Sequence, residues 1–416
     1  MPFCYNEGAL RAKEDAMRIA QVTDTFLPVV DGVGRVAVAY AETLAKLGHQ
    51  VTVIAPLYDT GHRGGMPYEL VDYTGFKVPT APQYKTGSPI LDDHYRRRMA
   101  MLDFDIVHAH SPFTAGREAL RLSRERGIPL VATFHSKFYD DFLKITKSET
   151  LAKMVVSNIV SFFERTSEVW AVSAASGEVL RGYGYRGPMQ VMTNGTTLRP
   201  ENPEAVARVR GRYGLEEAPV LLFVGQMNWK KNILRILEAA ARLKSGGTRF
   251  QLVLAGQGSD EAEIQAKIKA LGLLEETVLT GHVASTEDLD ALYKAATLFV
   301  FPSLYDTFSL VVREAAAMGT PSVVVADSCA AEDIRDHHNG FLCQDDPQDL
   351  ARVIQAVLND PEGSRLVGET ARETLPVTWD EVMRDVLSRY GELIVTHRPK
   401  RRGATRRRRE RGARLR

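Results

Sequence analysis

Residues 299–319 read FVFPSLYDTFSLVVREAAAMG. Residues 297–301 are an apolar, β-type run that stops at Pro302; a polar loop carrying Asp306 follows, and then a helical pattern that Ser309 is placed to cap with its hydroxyl. The stretch is a βα unit with two carboxylates, Asp306 in the loop and Glu314 about one turn into the helix. In an open parallel sheet, ligands bind outside the carboxyl ends of the strands, where helix N-termini offer unpaired N–H groups to anions. Asp306 and Glu314 are therefore expected at a ligand site.

The same alternation extends both ways from this unit. Upstream lie strand patterns at 218–225, 250–256 and 277–281, separated by helical patterns at 232–244, 259–271 and 286–296; downstream come a strand at 321–326, a return at 340–343 and a helix at 347–358. An earlier set of strands starts at Met17 and continues at 51–56, 105–110, 129–135 and 168–173, with a helix at 36–47 between the first two. Repeated βα alternation predicts doubly wound parallel sheets, and its restart predicts two similar α/β domains facing each other across a cleft. The pattern breaks at 186–203, RGPMQVMTNGTTLRPENP, where the domain boundary is expected. The expected division is a disordered extension at 1–16, domains at 17–190 and 200–375, a C-terminal helix at 376–397 and a basic tail at 398–416.

Composition sets outer bounds. The chain has 416 residues, 44% hydrophobic and 25% charged, which suits a globular protein of two or three domains. No apolar run approaches the roughly 20 residues of a spanning helix and the N-terminus has no signal core, so a cytoplasmic protein is expected. Cys4, Cys329 and Cys343 lack zinc or redox spacing and are read as free thiols. The net charge of +1 conceals a tail, residues 398–416, with eleven basic residues and one acid; the rest of the chain carries 42 basic and 51 acidic residues. Such a tail suits an anionic membrane surface, with no specific nucleic acid expected.

Several motifs sit at predicted strand ends. Gly32 and Gly34 lie beside a helix start and allow backbone N–H groups to approach an anion, but Ala37 leaves the dinucleotide fingerprint incomplete. Gly256, Gly258 and Glu261 fail it in the same way. His108 and His110, two apart on one strand face, and His135 follow at strand ends. Without a further ligand at metal-site spacing, metal is set aside and packing within the sheet weighed against substrate contact, which is the favoured reading for His110 and His135. Asp103 and Asp105 form a D-x-D, but at the amino end of their strand and away from the cleft. GQMNWKKN, residues 225–232, is not a Walker loop, yet Lys231 at that turn is suited to neutralise a phosphate.

Together these residues resemble the large retaining glycosyltransferase family built on two Rossmann-like domains, the B-type (GT-B) fold of the group 1, family 4 type. The match spans nearly everything from 17 to 393. Its most specific part is the pair of acids separated by seven residues, Asp306 and Glu314, followed by the EAxxxGxP run through Pro321; TDTFLPVVDGVG, VHAHSP, TFHS, the VG…K loop and AGQGSD support it. The resemblance implies transfer of a hexose from a UDP- or GDP-sugar to an acceptor hydroxyl with retention of configuration and no cofactor or metal. It implies a donor-binding second domain and an acceptor-side first domain.

By the same resemblance, Glu314 binds the ribose, Asp306 faces the donor sugar, Lys231 holds the diphosphate and the Gly32–Gly34 loop approaches it. His135 contacts the sugar near the reacting carbon. Gly256 and Gln226 join the donor-binding group, and His110 and Asp24 the acceptor or sugar contacts. Three positions depart from the family pattern: Asp306 for Glu, Ser309 for Gly, and Gln226 for an Arg, so that the diphosphate loses a bidentate cation unless Arg313 or Lys230 substitutes. The aromatic-basic segment 138–165 and the tail suggest a lipid or lipid-linked acceptor at the inner membrane face. A nucleotide-sugar epimerase and a non-catalytic nucleotide-sugar-binding protein remain alternatives.

Overall fold

The computed structural model describes residues 16–27, 31–56, 65–78, 81–215 and 218–397. The first sheet is built from β1 (Arg18–Val22), β2 (Gln50–Ala55), β3 (Glu69–Asp72), β6 (Ile106–Ala109), β7 (Leu130–Phe134), β8 (Glu168–Ala171) and β9 (Met189–Val191). They lie in the order β3-β2-β1-β6-β7-β8-β9, parallel throughout. A short antiparallel hairpin, β4 (Gly75–Val78) and β5 (Ala81–Gly87), stands beside it. The second sheet comprises β10 (Val220–Val224), β11 (Gln251–Ala255), β12 (Thr277–Gly281), β13 (Leu298–Phe301), β14 (Ser322–Val325) and β15 (Phe341–Cys343). Its order is β12-β11-β10-β13-β14-β15, again all parallel.

The central strands are buried along all or nearly all of their length, as in VLLF of β10 and LFVF of β13. Helices cover both faces of a parallel sheet, so its strands are continuous apolar runs instead of alternating ones. This is the expected two-domain GT-B architecture, and every strand expected from the sequence is present. Strands β3 and β9, the hairpin and the helix Pro361–Thr374 are additional. β3 and β9 are short and largely not fully buried, which weakens their apolar signal. Because β9 lies inside the glycine- and proline-rich stretch, the chain leaves the first sheet after Val191 and begins the helix Pro203–Tyr213 beyond it.

The chain crosses back after the helix Pro361–Thr374. The helix Trp379–Thr396 buries Val382, Met383, Val386 and Tyr390 among Ile19, Tyr40 and Trp170 of the first domain, and Tyr390 stacks on Trp170 with ring centroids 5.3 Å apart. The two crossings are tied together: Thr196 N donates to Val377 O at 2.7 Å. Gly195 lies so close to Trp379 that a Cβ would come within 2.5 Å of the indole. The expected separate C-terminal helix is thus part of the first domain's core. Cys329 and Cys343 are free and buried. Residues 1–15 of the expected extension, Cys4, residues 28–30 of the first loop and the basic tail lie outside the described residues.

Candidate active site

Each sheet has one place where the strand order reverses direction, and at such a switch point adjacent loops part to leave a crevice. In the first sheet it lies between β1 and β6, and in the second between β10 and β13. The loops leaving these strands carry Thr23 to Asp24 and His110 to Ser111 in one domain, and Gln226 to Lys231 and Ser303 to Asp306 in the other. Contacts of Thr307, just past Asp306, with the loops after β7 and β8 show that the two domains' strand ends face each other. Thr307 Oγ1 donates to His135 O at 2.6 Å, and Ser173 Oγ donates to Thr307 O at 2.8 Å.

On the second-domain side, Lys231 Nζ donates to Asp306 Oδ1 at 2.6 Å and Ser303 Oγ to Asp306 Oδ2 at 2.5 Å. Lys231 ends a 3-10 turn, Trp229–Lys231, that Asp260 anchors by accepting from Trp229 N at 2.9 Å. Asn232 follows at φ 59° and ties this loop to its neighbour by donating to Pro302 O at 3.0 Å. The glycines of AGQGSD let the β11 loop lie flush against this one. A Cβ on Gly256, at φ +138°, would sit 1.9 Å from Gly225 O, and one on Gly258 2.3 Å from Met227 O. Gly256, expected among the donor contacts, therefore has a backbone-packing role.

Glu314 is held in place from two sides. Tyr293 OH donates to its Oε2 at 2.9 Å, and the Arg35 guanidinium of the first domain pairs with Oε1. Burial first, and then the Glu314 charge, raise the Tyr293 hydroxyl well above its ordinary pKa, so it stays a donor. Arg35 escaped the sequence reading, although its place next to Gly34 in the first turn of the helix Gly32–Lys46 was a usable signal. Both glycines lie inside that turn instead of in a preceding loop. Asp31 caps it, accepting from Gly34 N at 2.6 Å, and a Cβ at Gly32 would meet nothing within 4 Å.

Five expectations need correction. Asp24 does not stand free for a substrate, because its carboxylate accepts from Thr114 Oγ1 at 2.5 Å, Ala115 N at 3.0 Å and Ser111 Oγ at 2.9 Å. It caps the helix Thr114–Arg126, whose own N-cap residue Phe113 has no side chain to do so. His110 is 2% exposed, with its Nε2 on Gln21 Oε1 at 2.5 Å and its Nδ1 on His135 Nε2 at 3.2 Å, so it stands behind His135. Arg313 is also 2% exposed, spent on Phe308 O and Asp333, and Lys230 pairs with Asp141 across the cleft. Neither supplies the charge missing at Gln226, which is exposed and bonded to Asn228.

The fifth correction is Ser309. It precedes the helix Leu310–Ala317 at φ 63°, makes no capping bond, and its buried Oγ has no partner among the described residues. Left-handed backbone costs a non-glycine residue roughly 1–2 kcal/mol, which explains why glycine suits this position. Ser309→Gly is expected to raise stability by about 1 kcal/mol, the relief being partly offset by glycine's greater unfolded-state entropy. Urea unfolding checks this, and a lower midpoint would mean the hydroxyl has an unrecognised partner. The D-x-D behaves as expected: Asp105 accepts from Arg18 N at 2.8 Å at the amino edge of the sheet, far from the cleft.

His135 is half-buried, and burial pushes its pKa down to about 3. His108 and His110 are likewise held well below the usual imidazole range, first by burial and then by their histidine neighbours. The site thus combines a neutral imidazole, a Lys–Asp pair, a guanidinium and a glutamate at facing switch points.

Residues 207–374 match the family described as Glycosyl transferases group 1, and residues 30–199 match Glycosyltransferase Family 4. D-inositol 3-phosphate glycosyltransferase 1 of Catenulispora acidiphila is 30% identical over 314 residues, spanning 70% of this chain and 73% of the relative. Alpha-monoglucosyldiacylglycerol synthase of Streptococcus pneumoniae is 25% identical over 362 residues, 83% of this chain and 79% of its own. Among solved structures, Anabaena Alr3699/HepE in complex with UDP and glucose superposes with a TM-score of 0.71 at 19% identity, over 89% of this chain and 98% of that one.

Proposed function

The chain belongs to the group 1 glycosyltransferases, and from that premise we propose that it transfers a hexose from a UDP- or GDP-sugar to an acceptor hydroxyl, with retention of anomeric configuration and without a metal at the diphosphate. The observation that carries this reading is the Lys231–Asp306 pair, 2.6 Å apart at the second switch point, with Thr307 of the same loop bonded to the backbone of His135 across the cleft.

Cleaving the anomeric bond leaves negative charge on the diphosphate and builds positive charge on the sugar. Lys231 answers the first and Asp306 the second. Glu314 accepts from the ribose hydroxyls, with Arg35 turning from Glu314 toward the diphosphate when the donor enters. That movement supplies the cation missing at Gln226. His135 is too weakly basic to deprotonate the acceptor by itself, which suits substitution on one face of the sugar with the leaving phosphate taking the acceptor proton.

A lipid or lipid-linked acceptor at the cytoplasmic membrane face is supported by the helices Phe138–Thr146 and Glu149–Phe163, which expose Ile145, Leu151 and Met154. The pneumococcal relative is, by its name, a glycolipid synthase. No helix among the described residues is long and apolar enough to cross a membrane.

The test is thermal unfolding with a panel of UDP- and GDP-sugars, followed by transfer to diacylglycerol vesicles and to soluble polyols in the presence of EDTA. A true donor at 100 times its Kd should stabilise the protein by about 2.7 kcal/mol. No stabilisation by any nucleotide sugar would sink the reading. Binding without turnover would favour a non-catalytic binding protein, and release of an epimerised sugar would favour an epimerase.

A further inference from the structure

Behind His135 runs a chain of buried polar side chains that spans both ends of the sequence. His135 Nε2 meets His110 Nδ1 at 3.2 Å, and His110 Nε2 meets Gln21 Oε1 at 2.5 Å. Gln21 Nε2 donates to Tyr390 OH at 3.3 Å. Tyr390 OH meets His108 Nδ1 at 2.5 Å, and His108 Nε2 meets Thr133 Oγ1 at 2.7 Å. Gln21, His108 and Tyr390 are fully buried. Every ring nitrogen in the chain except His135 Nδ1 is thereby engaged.

Such a chain has two self-consistent proton arrangements, related by a half-turn of the Gln21 amide. With Oε1 toward His110, that ring carries its hydrogen on Nε2 and accepts at Nδ1, so His135 must donate from Nε2. With the amide reversed, both rings invert and His135 carries its hydrogen on Nδ1. The amide stands in the first orientation, with Oε1 toward His110 Nε2 and Nε2 toward the Tyr390 hydroxyl, and a short contact favours an oxygen over a nitrogen opposite the His110 Nε2 hydrogen. Tyr390 then gives its hydroxyl hydrogen to His108 Nδ1 and receives from the amide.

We propose that Gln21 and Tyr390 are positioning residues that fix His135 with its hydrogen on Nε2 and a lone pair on Nδ1. His135 Nδ1 has no partner among the described residues and is not sealed from solvent. A lone pair there accepts from a hydroxyl and repels phosphate oxygens. This deepens the glycosyltransfer reading and rests on it: His135 selects a sugar or acceptor hydroxyl and leaves the diphosphate to Lys231. The helix Trp379–Thr396 is thereby part of the site, through its tyrosine.

Removing the Tyr390 hydroxyl reverses the balance. In Tyr390→Phe the Gln21 Nε2 hydrogen would be orphaned, whereas turning the amide gives it His110 Nε2 as acceptor and orphans only a carbonyl, the better-tolerated defect. The His135 tautomer should then shift toward Nδ1–H, with kcat falling about 10-fold or more, as when partners behind a functional histidine are removed. Gln21→Met, which removes the amide at similar volume, is the second variant should the first fail to fold.

Full-length protein labelled with 15N-histidine reports the tautomer directly and without substrate. Wild type with His135 Nδ1 unprotonated, and a changed His135 signal in either folded variant, support the proposal. Wild type with Nδ1 protonated, or both variants folded with the wild-type tautomer, overturn it. An inactive wild type with the expected tautomer would instead count against the proposed function alone.

Discussion

Replacing Lys231 by alanine is expected to lower kcat for sugar transfer by about 10²–10³-fold if Lys231 holds the diphosphate as proposed, the usual effect of losing a fixed donor at a developing anion. Within its own domain the site has no reserve for it. The neighbouring Lys230 is spent on Asp141, Arg313 is buried against Asp333, and Gln226 carries no charge. Arg35 approaches from the opposite domain and is paired with Glu314. Stability should change by less than about 2 kcal/mol, because Asp306 is partly hydrated and keeps its bond from Ser303. Steady-state kinetics with the donor found by thermal unfolding, alongside the melting curve of the variant, separate the two effects. An unchanged kcat would remove Lys231 from the diphosphate.

That Lys231 and Asp306 belong to one site was legible because both follow strands whose burial makes them plain apolar runs, and because strand ends at a switch point converge by topology; that they pair was not. The same logic placed His135 and the misdirected D-x-D. What it missed were partners set by distance in space. Nothing in the spacing of Asp24 says that its carboxylate caps a helix begun 90 residues later, nor that Tyr390 completes a hydrogen-bond chain begun at Gln21. Both depend on tertiary packing of elements remote in sequence.

Ser309 and Arg313 failed for a different reason. A serine before an apolar helical pattern fits a cap, and an arginine near an acid fits a phosphate ligand, so residue type alone favoured both readings. Backbone conformation overrode the first: the tight entry into the helix Leu310–Ala317 demands positive φ. Burial overrode the second, since a guanidinium stacked 4.3 Å over the Phe308 ring and bonded to Phe308 O is a structural brace. Family resemblance supplied Glu314 at its matching position, but its pairing with Arg35 arises only from the fold.

The buried histidines also make stability depend on pH in a window of their own. With the proton arrangement proposed for the chain, His108 and His110 each accept at Nδ1, so adding a proton to either breaks the chain, and burial holds both well below the usual pKa of about 6.5. Above that value neither state binds the proton and stability is level. Below it the unfolded chain takes up protons that the folded chain refuses, so the free energy of unfolding falls as pH falls. Two such groups give a limiting slope of about 2.7 kcal/mol per pH unit, hence a loss of about 4 kcal/mol between pH 7 and pH 5. Aspartates with lowered pKa, such as Asp105 beside Arg18, have the opposite arrangement: their stabilisation is present above the unfolded value near 4 and is lost only below it. Urea unfolding at pH 7, 6 and 5 therefore reads the lowered histidines, His135 adding to the loss and Asp24, raised by burial, opposing it. The midpoint should fall at constant slope with urea, and a level profile across that range would mean that the histidine chain is protonated, or open to water, in the folded protein.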